Sequence, residues 1–315
     1  MTRSNLLRFA WWEVTGMCQL ACAHCYASSG PDGTHGTMTL ADWRRVITQT
    51  RAAGATMGQF IGGEPTLYPG LPDLVRHALS IGMEVEIYTN LVHVTPAMWE
   101  TFQLSGVRLA TSYYSDQAEE HEAVTRRPTL KVTTRNIARA QDLGIPLRAG
   151  VIGINDGQRT QQGIAVLERL GVPEIGYDDL REVGRGARRD GPGVAQLCGH
   201  CGDRQIAISP TGEVWPCVFS RWLPAGNVQQ TSLAEILGSE AFAQITGELR
   251  EEFGRRKPCN PDPCSPDCSP SCRPQSNCRP SSNCAPNYSC GPCAPKDRNC
   301  NPVMSCNPNK CRPTK

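Results

Sequence analysis

Short apolar runs alternate with amphipathic stretches from residue 10 to about residue 180. The runs Ala10–Val14, Thr56–Ile61, Glu84–Thr89, Val107–Ser112, Leu147–Ile154 and Glu174–Tyr177 have the length and β-branched content of strands. Between them, Leu40–Ala53, Leu71–Ile81, Pro96–Leu104, Val132–Leu143 and Gln161–Leu170 repeat apolar positions at helical spacing. Thr39 is placed to cap the first of these helices, and Gly54 follows its end. Six strands alternating with helices predict a parallel α/β sheet, and this pattern alone fits an open sheet as well as a partial barrel. Farther on, Ile206–Cys217 reads as a β-hairpin turning at Pro210, Thr211 and Gly212, followed by helices at Ser232–Leu237 and Glu240–Glu252.

From Pro258 the pattern ends. The last 58 residues hold eleven Cys and 13 Pro and almost no large apolar side chains, so this segment cannot bury a core and is expected to be disordered unless metal or disulfides order it. Cys272, Cys278, Cys284 and Cys290 recur every six residues, each followed two positions later by Pro. The repeats fit metal binding, a redox tail or a tolerated low-complexity extension, and from Cys278 onward the last of these is the expectation.

A chain of 315 residues accommodates one large domain and a smaller one. A net charge of +2 gives no field for nucleic acid or an anionic membrane, and no apolar run spans a bilayer. The N-terminus has basic residues, but Arg8 and Glu13 interrupt its apolar stretch and no cleavage site follows, which argues against export and for a cytoplasmic location. The 17 cysteines of a chain without an export signal are better read as metal ligands than as disulfides. They fall in three groups, at 18–25, at 198–217 and after residue 258.

Cys18-Gln-Leu-Ala-Cys22-Ala-His-Cys25-Tyr26 directly follows the first strand. Three thiolates on one short loop can hold three irons of a cubane and leave the fourth open; a zinc loop with a distant fourth ligand is the other reading. Gly62-Gly63-Glu64-Pro65 ends the second strand, where paired glycines admit a close ligand and a carboxylate can accept an ammonium group.

These two motifs, CxxxCxxC after strand one and GGEP after strand two, resemble the radical S-adenosylmethionine (SAM) superfamily. The form C-x-x-x-C-x-H-C-Y resembles its subgroup with an auxiliary-cluster (SPASM or twitch) domain, and the resemblance covers residues 10–257. It implies a partial (β/α)6 barrel with its site at the C-terminal strand ends. It implies a [4Fe–4S] cluster on Cys18, Cys22 and Cys25. Gly62, Gly63, Glu64 and Pro65 then match the motif that binds the SAM amino group, Thr89-Asn90 a pair lining the SAM site, and Ser112 a Ser contacting the methionine or ribose. Here the usual Ser-Leu-Asp-Gly is replaced by Ser112-Tyr-Tyr-Ser-Asp116. Asn155 is a further candidate that also reads as a helix cap, and His24 and Tyr26 lean on the adenine or cluster or pack the loop. The chemistry implied is reductive cleavage of SAM to a 5′-deoxyadenosyl radical that abstracts hydrogen.

Cys198-Gly-His-Cys201, then Gly212-x4-Cys217, resembles the opening of the auxiliary-cluster domain, and Val183-Gly-Arg-Gly186 resembles the exit from the last barrel strand. The resemblance implies at least one auxiliary Fe–S cluster on Cys198, Cys201 and Cys217, its fourth ligand Cys259 or Cys264; zinc is the alternative. The expected organisation is a core at 1–185, an auxiliary domain at 186–257 that 258–272 can complete, and a Cys/Pro-rich tail at 273–315. His35, His77, His93, His121 and His200 show no paired metal spacing and are read as surface or packing residues, His200 alone being placed to support the cluster ligands. The Arg-rich stretch 181–189 is read as a solvated loop, with binding of an acidic substrate as the alternative.

The resemblance implies maturation of a ribosomally made peptide, with an electron donor such as flavodoxin or ferredoxin. Barrel strands begin near residue 10, so peptide recognition is expected from a separate protein. A small-molecule dehydrogenase or epimerase, for instance on an aminosugar, is the second reading. A non-catalytic metal-binding scaffold is the third.

Overall fold

The computed structural model describes residues 7–188 and 192–255. Cys259, Cys264 and the tail expectations lie outside these residues. The strands are β1 (Phe9–Thr15), β2 (Met57–Gly62), β3 (Glu84–Tyr88), β4 (Val107–Tyr113), β5 (Leu147–Gly153), β6 (Glu174–Asp179), β7 (Gln205–Ile208), β8 (Glu213–Trp215) and β9 (Gly226–Asn227). The helices are α1 (Leu40–Ala52), α2 (Leu71–Ser80), α3 (Pro96–Phe102), α4 (Ala118–Thr125), α5 (Leu130–Asp142), α6 (Thr160–Arg169), α7 (Leu233–Gly238) and α8 (Glu240–Arg255).

Strands β1 to β6 pair in parallel and in chain order, giving an α/β partial barrel of six strands. The period-two alternation of the strands determines what each face buries. Ala10, Trp12 and Val14, with Phe60, Val85, Ile87, Leu109, Ala149 and Val151, face the helices and build the core with Trp43, Ile47 and Leu74. The intervening residues Trp11, Gln59, Tyr88, Ser112, Arg148 and Asp178 line a cavity on the other face. Apolar burial outside and a polar, partly hollow inner face are therefore written into the same strands.

Helix α1 begins as expected: Thr39 and Asp42 form a reciprocal capping box. Helix α4 has too weak an apolar stripe to be read from its sequence, Ala-Glu-Glu-His-Glu-Ala-Val-Thr.

The hairpin β7–β8 forms where expected, but it is not a separate layer. Strand β7 pairs in parallel with β1, Phe9 opposite Gln205 through Trp12 opposite Ile208. One nine-stranded sheet, ordered β6-β5-β4-β3-β2-β1-β7-β8-β9, thus runs through both regions. A buried ion pair crosses the join: Arg221 Nη1 lies 2.7 Å from both carboxylate oxygens of Glu13, which is 1% exposed. The Arg221 guanidinium also stacks on Trp215, 4.3 Å from the ring centroid. Among the described residues no helix is long and apolar enough to cross a membrane.

Candidate functional site

The C-terminal ends of β1 to β6 open into one cavity of about 300 Å³. In parallel α/β folds this is the end at which ligands bind. Cys18, Cys22, His24, Cys25, Tyr26, Gly62, Gly63, Thr89, Asn90 and Ser112 all line it, as do Cys198 and Cys217. Residues 180 positions apart in the chain therefore meet at one space.

The cysteine loop is held by backbone bonds on three sides. Gly63 and Glu64 donate their N–H groups to Thr15 O and Met17 O at 2.7 and 2.8 Å, and Ala23 N donates to Val124 O of α4 at 2.9 Å. A Cβ on Gly63 would stand 2.1 Å from Met17 O, so only glycine permits this approach. The third side is Arg185, whose N donates to Cys25 O at 3.0 Å, Nε to Cys22 O at 2.9 Å and Nη2 to Ser29 O at 2.6 Å. Gly184 beside it has φ of 60°, and a Cβ there would lie 2.3 Å from Tyr26 O. The Arg-rich stretch is exposed at Arg185 and Arg188, as a solvated loop would be, yet Arg181 and Arg185 also make specific bonds. Arg185 clamps the cysteine loop, and Arg181 is paired with Asp178 and bonds Gln196 O, both side chains nearly buried.

Backbone N–H groups of Leu20 and Ser29 point at the sulfurs of Cys18 and Cys25, at 3.4 and 3.3 Å. Burial pushes the thiols of Cys18 and Cys22 up to about 12. Thiols of that kind are poor free nucleophiles and become thiolates when a metal binds them. Among the described residues no three His, Cys, Asp or Glu side chains gather about one ion-sized point. Three thiolates on one short loop can each hold a different iron of a cubane, and backbone N–H groups aimed at two of the sulfurs suit their charge. The donor set of Cys18, Cys22 and Cys25 fits a cluster.

Glu64 is 1% exposed and does not line the cavity. Its Oε1 accepts from Thr66 N (3.1 Å), Thr66 Oγ1 (2.7 Å) and Thr89 Oγ1 (2.7 Å), and its Oε2 from Asn90 N (2.8 Å). The expected ammonium acceptor is thus first a tie between the ends of β2 and β3. Burial raises the pKa of the carboxyl, against the pull of these donors. Asn90 passes the tie onward: its Oδ1 accepts from Gln19 Nε2 at 3.0 Å and its Nδ2 lies 3.7 Å from Cys18 Sγ. Pro65 opens a single 3-10 turn and is buried outside the cavity lining.

Ser112 Oγ meets Tyr88 OH at 3.0 Å. His24 is half-buried, its pKa lowered to about 4 by desolvation, with its ring edge-to-face on Tyr114 at 5.1 Å. Its Nδ1 has no hydrogen-bond partner among the described residues and remains able to bond a ligand, whereas the hydroxyl of Tyr26 lies against the Glu13 carboxylate. Asn155 is exposed and outside the cavity lining. It does not cap the next helix either, since Arg159 stands at the N-cap without a side-chain bond.

Sequence reasoning missed the cavity floor. Arg148 Nε and Nη2 bind the two oxygens of Glu86 at 2.8 and 2.7 Å, Arg108 pairs with the same carboxylate at 2.8 Å, and Gln59 donates to it. Asp178 lies beside this floor, and burial pushes its carboxyl up to about 7 although Arg181 pulls it down. The signal was available: a charged or amide residue at an inward position of β2, β3, β4, β5 and β6 in turn. His121, read as a packing residue, is buried at the cavity wall and bonds Thr129 Oγ1 through Nε2 at 3.1 Å.

The second cysteine group converges at the far wall. Cys201 Sγ lies 2.8 Å from Cys217 Sγ, and contact with Cys198 and Cys217 raises its thiol pKa well above the usual value. Leu197 and Leu249 pack against the pair.

Two family models match the chain: Radical SAM superfamily over residues 12–161, and the iron-sulfur cluster-binding domain SPASM over residues 198–269. A PqqA peptide cyclase of Xanthomonas campestris pv. campestris is 27% identical over 281 residues, covering 75% of this chain and 74% of that protein. The structure of Streptococcus suis SuiB bound to S-adenosylmethionine superposes with a TM-score of 0.64 at 14% identity, covering 76% of this chain and 68% of SuiB. Native anSMEcpe with bound AdoMet and Cp18Cys peptide gives a TM-score of 0.59 at 12% identity, covering 77% of this chain and 83% of that one. At these identities the two structures share the fold.

Proposed function

The chain belongs to the radical SAM superfamily, and from that premise we propose that it is a maturase that modifies a peptide within the cavity described above. It is an enzyme whose cofactors are a [4Fe–4S] cluster, SAM and auxiliary Fe–S. When bound, these supply the one-electron cleavage of SAM and the hydrogen-abstracting radical that follows. The observation that carries the reading is the meeting of two cysteine groups, the Gly-Gly turn and Thr89-Asn90 at one cavity.

The residues then take these parts. Cys18, Cys22 and Cys25 hold the SAM cluster. Gly62 and Gly63 offer backbone to the SAM amino group, and Thr89, Asn90 and Ser112 offer side chains. Glu64 keeps Thr89 and Asn90 in place and shares Oε2 with the amino group. Arg185 and α4 keep the cysteine loop in one conformation. Cys198, Cys201 and Cys217 hold the auxiliary cluster, with Cys259 or Cys264 as the fourth ligand. The apolar wall of Trp11, Ile61, Val218 and Phe219 keeps water from the reacting centre.

The relatives favour a peptide over a small molecule. The Xanthomonas protein is a PqqA peptide cyclase, and SuiB also has a crystal structure bound to precursor peptide SuiA. A flavodoxin or ferredoxin as electron donor and a separate peptide-recognition protein complete the proposal. The test is anaerobic reconstitution with SAM and dithionite. Formation of 5′-deoxyadenosine together with a mass change in a peptide supports the reading. Turnover of an aminosugar with peptides untouched refutes it.

A further inference from the structure

All eleven cysteines after residue 258 obey one rule: each is followed two positions later by proline. The units run from Cys259-Asn-Pro261 through Cys284-Ala-Pro286 to Cys311-Arg-Pro313, and only Pro258 and Pro263 stand outside them. Spacing between units varies, at six residues from Cys272 to Cys290 but three between Cys290 and Cys293 and seven between Cys293 and Cys300. Ligation dictates where thiolates lie but does not require a proline after each one, and the ligand candidates Cys259 and Cys264 share the unit with the eight cysteines beyond the cluster domain. A constant short unit at variable spacing is instead what a site recognises when it reads one unit at a time. Proline biases the residue before it towards extended or polyproline conformations.

The family model for the cluster domain ends at residue 269, so the eight units from Cys272 onward lie beyond it. The described chain leaves off at the end of α8, whose Leu249 packs on Cys201 and Cys217 at the auxiliary wall of the cavity. Sixty residues follow Arg255. At about 3.3 Å per extended residue, a unit some twenty residues on has ample reach to enter. The cavity is walled by Trp11, Tyr26, Tyr88, Tyr114 and Phe219, and aromatic-lined grooves are what proline-rich extended segments dock into.

We propose, resting on the peptide-maturase reading, that the Cys-x-Pro units beyond residue 269 are the peptide this enzyme acts on, entering the aromatic-walled cavity one at a time and becoming thioethers. In each event one C–H and one S–H bond break and one C–S bond forms. The hydrogen atom passes to the 5′-deoxyadenosyl carbon, the thiol proton to solvent and the remaining electron to the auxiliary Fe–S cluster. Two hydrogens leave the segment per thioether, and the thiol is lost to alkylation.

The experiment uses the full chain, reconstituted anaerobically and incubated with SAM and dithionite. It is then fully reduced with a phosphine so that disulfides open, alkylated, digested and mapped by mass spectrometry. The expected result is a SAM-dependent loss of two hydrogens per modified unit in peptides from 270–315, with matching cysteines unalkylated. A second measurement needs no cofactor: a benzophenone side chain in place of Phe219 should photo-crosslink to residues 270–315. If 5′-deoxyadenosine forms while every tail cysteine alkylates as in the SAM-free control, the self-substrate proposal is overturned and the maturase reading stands. If no 5′-deoxyadenosine forms, both fall. Crosslinks from position 219 that avoid 270–315 also overturn it.

Discussion

Replacing Glu64 by Gln tests how the SAM half of the cavity is built. The carboxylate accepts three bonds on Oε1 and one on Oε2. An amide has one acceptor oxygen. The less costly orientation keeps its oxygen on Thr66 and Thr89 and turns its NH2 towards the Asn90 N–H, donor against donor. That loses one charge-assisted bond and leaves a partly buried N–H unpaired, a loss of about 1.5–3 kcal/mol. The other orientation strands three donors and costs more. Asn90 is the residue set free, and it touches Gln19 and Cys18, so the disturbance reaches both halves of the SAM site. Glu64→Gln should therefore lower unfolding free energy in urea by about 1.5–3 kcal/mol, and weaken SAM binding about tenfold or more, with iron content retained. Equilibrium unfolding of the apoprotein and SAM titration of the reconstituted enzyme read the two effects separately. A variant within about 0.5 kcal/mol of the parent, which is the ordinary range for inert surface changes, would refute the tie assigned to Glu64.

Three further outcomes follow from the same geometry. Arg221→Met leaves Glu13 buried without its partner and should destabilise the chain by about 3–5 kcal/mol. Burial already raises the Glu13 pKa, so the penalty should shrink as pH falls and Glu13 protonates, and Glu13→Gln in the same chain should recover most of it; urea titrations at two pH values with no such difference would contradict the pairing. Burial raises the Asp178 carboxyl to about 7 against its usual 3.8, so its contribution to stability is present below about pH 4 and lost as pH rises to about 7; Asp178→Asn, which also takes a carboxylate from Arg181, should therefore cost less relative to the parent as pH rises from 5 to 8, and a pH-independent difference would count against it. Changing Cys18, Cys22 and Cys25 together to Ala should abolish 5′-deoxyadenosine formation while auxiliary iron remains; cleavage of SAM at the parent rate would remove the loop from the site.

Much of this architecture was readable because strands buried against helices are short apolar runs. All six barrel strands start within a residue of the expected positions, and β6 runs two residues farther than expected. What escaped depends on distant contacts. The parallel pairing of β7 with β1 joins residues nearly 200 apart, and nothing local marks it. Arg181 and Arg185 look like solvent-facing charge in sequence, yet fold onto Asp178 and onto backbone carbonyls of the cysteine loop. Glu64 is assigned by its motif to a ligand; of its four donors two are on neighbouring Thr66, and the other two, on Thr89 and Asn90, come from the end of β3, which only the fold brings near. Arg148 and Glu86 sat in runs read for their apolar partners, so their inward charge went unremarked.

The pairing of β7 along β1 also bears on how this chain can be taken apart. Residue 186 is a plausible cut by sequence, since the barrel strands end before it. In the sheet, that cut would strip β1 of its neighbour from Phe9 to Trp12 and leave a row of backbone donors and acceptors bare. An excised barrel would end in β1 as a newly exposed edge strand and would be expected to self-associate along it. The barrel and the region from β7 onward are therefore parts of one sheet. Recombination or engineering that swaps the auxiliary region has to carry over a strand matched to Phe9–Trp12 as well as the cysteines.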